Sequence, residues 1–231
     1  MFWQEAKDLV YTGEVDTKLP ARKFPSKDMV HYFHPIAWIK QMLLMYYKQD
    51  IDLSDSSKWI SQFTQPRPNV ACYRTCCLIL EKYDTTCGNL GKELKEKYEN
   101  GTFKYSNVIQ SIIQMPDGSF KKTGEERKAI KYIDQQLEDG KPIVIGIDRG
   151  DAYETYNKDN STEHFVVVTG RKTDKKGLYY RFFEVGTYES NKKLKGVNPS
   201  NRLYLKDDFN LIGKKPSSSK KYRLTQVRKN I

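Results

Sequence analysis

The chain has 231 residues, with 40 lysines and arginines against 29 acidic residues and a formal net charge of +11. Aromatic residues make up 13% of it, and large rings bury much area each, so a packed core is within reach and disorder throughout is excluded. No apolar run approaches the roughly 20 residues that a membrane helix needs, and Lys40 and Gln41 interrupt the longest candidate. No membrane insertion is therefore expected. The first residues, Met-Phe-Trp-Gln-Glu, lack the basic start and apolar stretch of a secretory signal.

Residues 1–30 show no clear periodicity and read as an irregular arm. His34-Pro35 then opens a helix, because proline at the first helical position loses nothing by lacking an N–H. Ile36, Ile39, Leu43, Tyr46 and Tyr47 follow at steps of three and four and give that helix one apolar face. Gln65-Pro66-Arg67-Pro68-Asn69 breaks any helix. Immediately after it, apolar residues at Cys72, Cys76, Ile79, Leu80 and Tyr83 predict a buried helix starting near Cys72. A charged amphipathic helix is expected over 88–100. Thr123-Gly124-Glu125-Glu126 has the form of a capping box, and its helix runs to the stop at Asp139-Gly140.

The pattern then turns to strands. Pro142-Ile143-Val144-Ile145-Gly146-Ile147 and His164-Phe165-Val166-Val167-Val168-Thr169-Gly170 are buried β runs. Asp174-Lys175-Lys176-Gly177 turns the second into Leu178-Tyr179-Tyr180-Arg181-Phe182-Phe183-Glu184-Val185 as its hairpin partner. Shorter β pieces follow over 202–205 and 222–227. Helices first and an antiparallel sheet afterwards predict an α+β domain. From 214 to 231 there are seven Lys/Arg and no acid, which leaves +4 on residues 1–213. Charge gathered there, rather than striped along a helix, argues against specific nucleic-acid binding and predicts a basic tail or edge strand. An acidic polymer is the partner it favours.

Cys72, Cys76, Cys77 and Cys87 fall within sixteen residues. They form no Cys-x-x-Cys pair, and His31, His34 and His164 lie outside the cluster, so neither a metal site nor any other cofactor is expected. A disulfide framework would spread its cysteines along the chain. Reduced thiols are the expectation, with Cys76 and Cys77 as small buried hydrophobes. His31 and His34 serve packing and capping, and Asn69 a turn or helix cap.

Cys72 differs from its neighbours because it stands where a loop breaks into a helix. Unpaired N–H groups and the helix dipole there favour thiolate over thiol. His164 heads a buried strand that can hold its ring beside that helix end. Such a Cys–His pair generates a nucleophile and later returns a proton to a leaving amine. Glu184, on the returning hairpin strand, is placed to accept the other ring N–H. The Cys72 backbone N–H and one upstream side-chain amide, from Gln62, Gln65 or Asn69, would complete an oxyanion hole.

The pieces Trp59-Ile60-Ser61-Gln62, Asn69-Val70-Ala71-Cys72, Glu163-His164-Phe165-Val166-Val167-Val168-Thr169-Gly170 and Phe183-Glu184-Val185-Gly186 together resemble the papain-like cysteine peptidase and amidase superfamily. The resemblance spans about residues 57–190 and is nearest the bacteriocin-leader-peptidase-like branch, which includes cell-wall amidases. Tyr73 stands where that family usually has glycine, and Glu184 where it usually has aspartate. The resemblance implies a papain-like α+β fold with N-terminal helices packed on an antiparallel β-sheet. It favours Gln62 as the oxyanion amide and implies a thiol hydrolase acting on a peptide or amide bond.

The segment His31-Tyr32-Phe33-His34-Pro35 is similar to segments preceding type VI secretion toxin domains. That likeness implies a peptidoglycan substrate, delivery into a target cell's periplasm without a signal peptide, and an immunity protein as partner. The domain plan is a helical extension over 1–55, a catalytic domain over 56–213 and a basic tail or edge strand over 214–231. The rivals are a proteinase acting on protein substrates, an acyl-transferring transglutaminase-like enzyme, and a catalytically silent binding or immunity module.

Overall fold

Runs of β-branched and aromatic residues bounded by turns become strands that pair almost wholly with one another. The computed structural model describes residues 49–88, 107–115, 117–150, 159 and 161–231. In chain order these hold β1 (Ile51–Asp52), α1 (Cys72–Glu81), β2 (Val108–Gln110), β3 (Ile112–Gln114), β4 (Phe120–Lys122) and α2 (Glu126–Glu138). Then come β5 (Ile143–Asp148), β6 (His164–Asp174), β7 (Gly177–Phe183), β8 (Arg202–Leu205), β9 (Leu211–Lys214) and β10 (Lys221–Arg228). Short helical turns at Ser56–Lys58, Gln62–Thr64 and Pro68–Val70 lead into α1.

The strands β6, β5, β10, β9, β8 and β7 pair antiparallel in that order, and β7 pairs back onto β6 to close a six-stranded barrel. Two register breaks help it curve, between Val168 and Gly170 on β6 and between Leu224 and Gln226 on β10. Bulges of this kind add twist and bend a sheet toward closure. β1 extends the sheet beside β6, and β2 beside β10. Gly170 is needed there, since a Cβ would stand 2.6 Å from the Ile51 carbonyl oxygen.

Period-two alternation divides the apolar residues into two cores. Ile143, Ile145, Ile147, Val166, Val168, Tyr180, Phe182, Leu203, Leu211, Tyr222 and Leu224 share one, to which α2 adds Ala129, Ile130, Ile133 and Leu137. Val144, Phe165, Val167, Phe183 and Val185 point the other way, and α1 packs on them through Cys76, Ile79 and Leu80. α2 begins at Glu126, two residues later than a Thr123 cap would start it, and the Glu126 carboxylate reaches back to accept from the N–H groups of Thr123 at 3.0 Å and Gly124 at 3.1 Å. Gly140 ends it at φ 74°, a conformation that glycine adopts without strain.

Three expectations are corrected. The fold is not papain-like α+β, with N-terminal helices covering an open sheet; it is mostly antiparallel β, a closed six-stranded barrel with few short helices. The expected helices over 35–47 and 88–100 fall on residues 1–48 and 89–106, outside the described residues apart from Gly88. Residues 221–228 are neither tail nor edge. β10 is flanked by β9 and β2 on the way along it and by β5, which places the basic stretch in the barrel wall. Finally, Cys77 and Cys87 form a disulfide with Cα atoms 6.0 Å apart, where reduced thiols were expected. The turn after α1 brings Cys87 back beside the helix, a juxtaposition that spacing along the chain does not reveal.

Candidate active site

Proline sets up the position of Cys72. The Pro68–Val70 turn delivers the chain to Ala71, which begins α1 with no side-chain cap. The first N–H groups of the helix are thus left to other acceptors. Asn69, expected as a possible cap, is exposed and does not serve as one. Cys72 follows as the first helical residue and is partly exposed, unlike fully buried Cys76 one turn on.

His164 is placed from two sides. In the barrel wall it pairs with Ile147, and Glu163 donates its N–H to the Ile147 carbonyl at 2.9 Å. Below it, the Asp159 carboxylate gathers donors: Thr162 Oγ1 at 2.6 Å, Gln226 Nε2 at 2.8 Å and Gln110 Nε2 at 3.1 Å. The N–H groups of Ser161 and Thr162 also reach Asp159. This buried hub fixes the turn that feeds β6.

Glu184 follows the last residue of β7. Its Oε1 lies 2.5 Å from His164 Nε2, and the two side chains are 5% and 4% exposed. The Gly186 N–H donates to the same Oε1 at 2.6 Å, the Tyr222 hydroxyl donates to Oε2 at 2.7 Å, and Trp59 Nε1 donates to the Glu184 carbonyl at 2.9 Å. Nε2 of the ring is taken by Glu184, and His164 and the Cys72 side chain act on each other's charge.

The three groups set one another's charge. Burial pushes the Cys72 thiol up, but the hydrogen bond and charge of His164, with the N–H groups of Phe165 and Tyr73, outweigh it, and the pKa falls below the ordinary thiol value. Burial pulls His164 down, while Glu184 and the bond to Cys72 push it up to about 9. Burial raises Glu184, yet His164, Tyr222 and the Gly186 N–H leave its carboxyl below the usual range. Cys76 lacks such help: burial and the charges of Cys72 and Glu184 hold it well above an ordinary thiol. The surroundings thus shift Cys72 toward its charged form and His164 toward its own, the opposite of what burial alone does to each.

Gln62 is buried in the neighbouring turn. Its N–H donates to Val185 O at 2.9 Å and its Nε2 to Pro68 O at 3.0 Å, tying the strand end after Glu184 to the approach to Cys72. Its Oε1 has no partner among the described residues, and its Nε2 carries a second hydrogen. Gln65 instead donates to its neighbour Thr64 at 3.2 Å. Beside these, Ser61 Oγ donates to Thr187 O at 2.6 Å, and Phe63 stacks on Tyr188 with ring centroids 4.2 Å apart. Gly186 is exposed, and a Cβ there would stand 3.1 Å from His164 Cε1 and 2.9 Å from Glu184 Oε1. A side chain there would crowd both the imidazole and the carboxylate.

The structure brings Cys72, His164 and Glu184 together and sets Gln62 beside them. Sequence reasoning missed Tyr222, Gly186 and Trp59. The Gly186 signal was present in the Glu-Val-Gly run; Tyr222 had none, since it comes 38 residues after Glu184 in a basic stretch. Among the described residues, no group of three His, Cys, Asp or Glu is placed to hold a metal ion. None of their helices is long and apolar enough to cross a membrane. Compared with protein-family models, curated proteins and solved structures, the chain matches none.

Proposed function

We propose that the protein is a cysteine hydrolase that cleaves a peptide or amide bond. The observation that carries this reading is the relay from partly exposed Cys72 through buried His164 to buried Glu184, with the thiol lowered and the imidazole raised. A structural cysteine needs no such partner, and its thiol rises on burial, as that of Cys76 does.

The Cys72 thiolate attacks the carbonyl carbon, and the carbonyl electron pair moves onto oxygen. The Cys72 N–H and the second Nε2 hydrogen of Gln62 are the donors for that oxyanion. His164 gives its proton to the departing nitrogen, the C–N bond breaks and a thioester remains. His164 then takes a proton from water, whose oxygen attacks the thioester, and the acid and the thiolate are released. Glu184 holds the ring in place and carries the countercharge throughout.

The substrate that fits best is a peptidoglycan stem peptide. A net charge of +11 favours an anionic wall polymer, and the resemblance of the site residues to cysteine amidases supports the reaction class. The Cys77–Cys87 disulfide suits an oxidising compartment such as a target cell's periplasm. An immunity protein covering Cys72 is the partner such a toxin would require.

Purified sacculi incubated with the protein, with released fragments read by mass spectrometry, test this. Cleaved stem peptides are expected, and Cys72→Ala should lower the rate by more than about a thousandfold while leaving the fold intact. Intact sacculi beside cleaved casein would move the substrate to proteins. Unchanged hydrolysis by Cys72→Ala would remove the nucleophile assignment.

A further inference from the structure

Glu184 is held on both of its oxygens, and the second is held by a residue from the far end of the chain. Oε1 faces His164 and the Gly186 N–H, whereas Oε2 accepts the 2.7 Å hydrogen bond from Tyr222 on β10. Tyr222 is 1% exposed, and its ring packs on Phe182 with centroids 6.0 Å apart. Packing alone would be served as well by phenylalanine. The hydroxyl is the part that packing does not explain.

A buried carboxylate 2.5 Å from an imidazolium competes for its proton, because low-dielectric surroundings penalise the separated charges. Were the proton to pass to Glu184, the ring would lose its positive charge and the thiolate would lose its counterion. A donor on the remote oxygen stabilises the carboxylate as an anion and fixes its rotamer. Only the Tyr222 hydroxyl is seen to do so on Oε2 among the described residues.

We propose that Tyr222 is a positioning residue that acts through Glu184, its hydroxyl keeping the carboxylate ionised and turned to His164 so that Cys72 stays a thiolate. This rests on the reading of Cys72 as nucleophile. It also gives the barrel a part in the chemistry: β10, the strand between β9 and β5, carries the group that completes the relay.

The test is the pH dependence of iodoacetamide alkylation of Cys72, which needs no substrate. Wild-type protein should show a limb below the ordinary thiol range. Tyr222→Phe should move that limb up by about one pH unit and lower the rate on it about tenfold, the size of one hydrogen bond to a charged group. In a Glu184→Gln background, Tyr222→Phe should add less than about twofold, because a residue acting through Glu184 has nothing left to act on. Replacing Tyr222 with 3-fluorotyrosine keeps the shape, strengthens the donor and should move the limb down, which also covers loss of folding in the phenylalanine variant.

A wild-type limb that stays put in Tyr222→Phe and with 3-fluorotyrosine would overturn the role of Tyr222 and leave the nucleophile reading standing. Equal effects of Tyr222→Phe with and without Glu184 would show a general structural role and overturn it too. Absence of any low limb in the wild type would remove the nucleophile reading, and the proposal with it.

Discussion

Cys72 and Cys76 lie one turn apart on the same helix, yet their thiols shift in opposite directions. Burial acts on both. What separates them is the His164 ring and the two N–H groups that reach Cys72 and not Cys76. If the protein hydrolyses amides as proposed, the direction of each shift sets the pH profile of that reaction. As pH rises through the lowered Cys72 value the thiolate forms and kcat/KM climbs. As pH rises past about 9, His164 loses the proton that it must give the leaving nitrogen, and kcat/KM falls. Alkylation needs no such proton and should stay high on the alkaline side. A hydrolysis profile without an alkaline limb near that value would contradict the role of His164 as acid. The residue types and order were legible in the sequence: a cysteine at a loop-to-helix break, a histidine opening a valine run and an acid after the partner strand. Tyr222 was not, because a hydroxyl acting across the barrel leaves no local trace.

At the scale of elements, α1 is anchored at its start and at its middle by different means. Its start is held over the barrel by the Pro68–Val70 turn and the Gln62 amide, while Cys77 within it is tied to Cys87. A disulfide limits the freedom of the unfolded chain, and this one closes a short loop, ten residues apart in sequence. Cys87→Ser is expected to cost about 2 to 3 kcal/mol, read as a lower midpoint in urea unfolding, with the alkylation limb of Cys72 retained. A shift in that limb would show that the disulfide also sets the geometry of the thiol. Helix positions proved readable here: apolar spacing predicts α1 from Cys72, and the Thr123 to Glu126 box lies at the approach to α2, which begins two residues later than a Thr123 cap would start it. Such signals are local, made of residues within a turn or two of one another. The pairing of Cys77 with Cys87 is not of that kind, since it depends on how the chain turns after the helix.

For the molecule as a whole, closure of the barrel decides what each strand is. β10 pairs with β9 and β5, and its Tyr222, Leu224 and Val227 are buried in the main core. Its basic residues Lys221 and Arg223 flank Tyr222 and are less buried, while Arg228 at its end is buried, so charge counted along the chain hides a strand built into the core. Truncation before Lys221 therefore tests the architecture. Loss of the strand should open the barrel, leave β5 and β9 with one partner each and abolish cooperative thermal unfolding by circular dichroism. A removable tail would leave the melting curve unchanged.

The sequence by itself placed Cys72 at a helix start, His164 at a strand start and Glu184 at a strand end, and marked the two described helices and the main β runs, because each is written in a short window of spacing and β-branched residues. Only the tertiary structure decided that six strands close into a barrel rather than lie open beneath helices. Closure depends on pairings such as β6 with β7 and β10 with β5 and β9, and on two bulges, none of which periodicity can express. The charge of +11 shows the same division. Its sum is a property of composition, but whether its C-terminal share forms a free tail or a barrel wall is settled by which strands it meets.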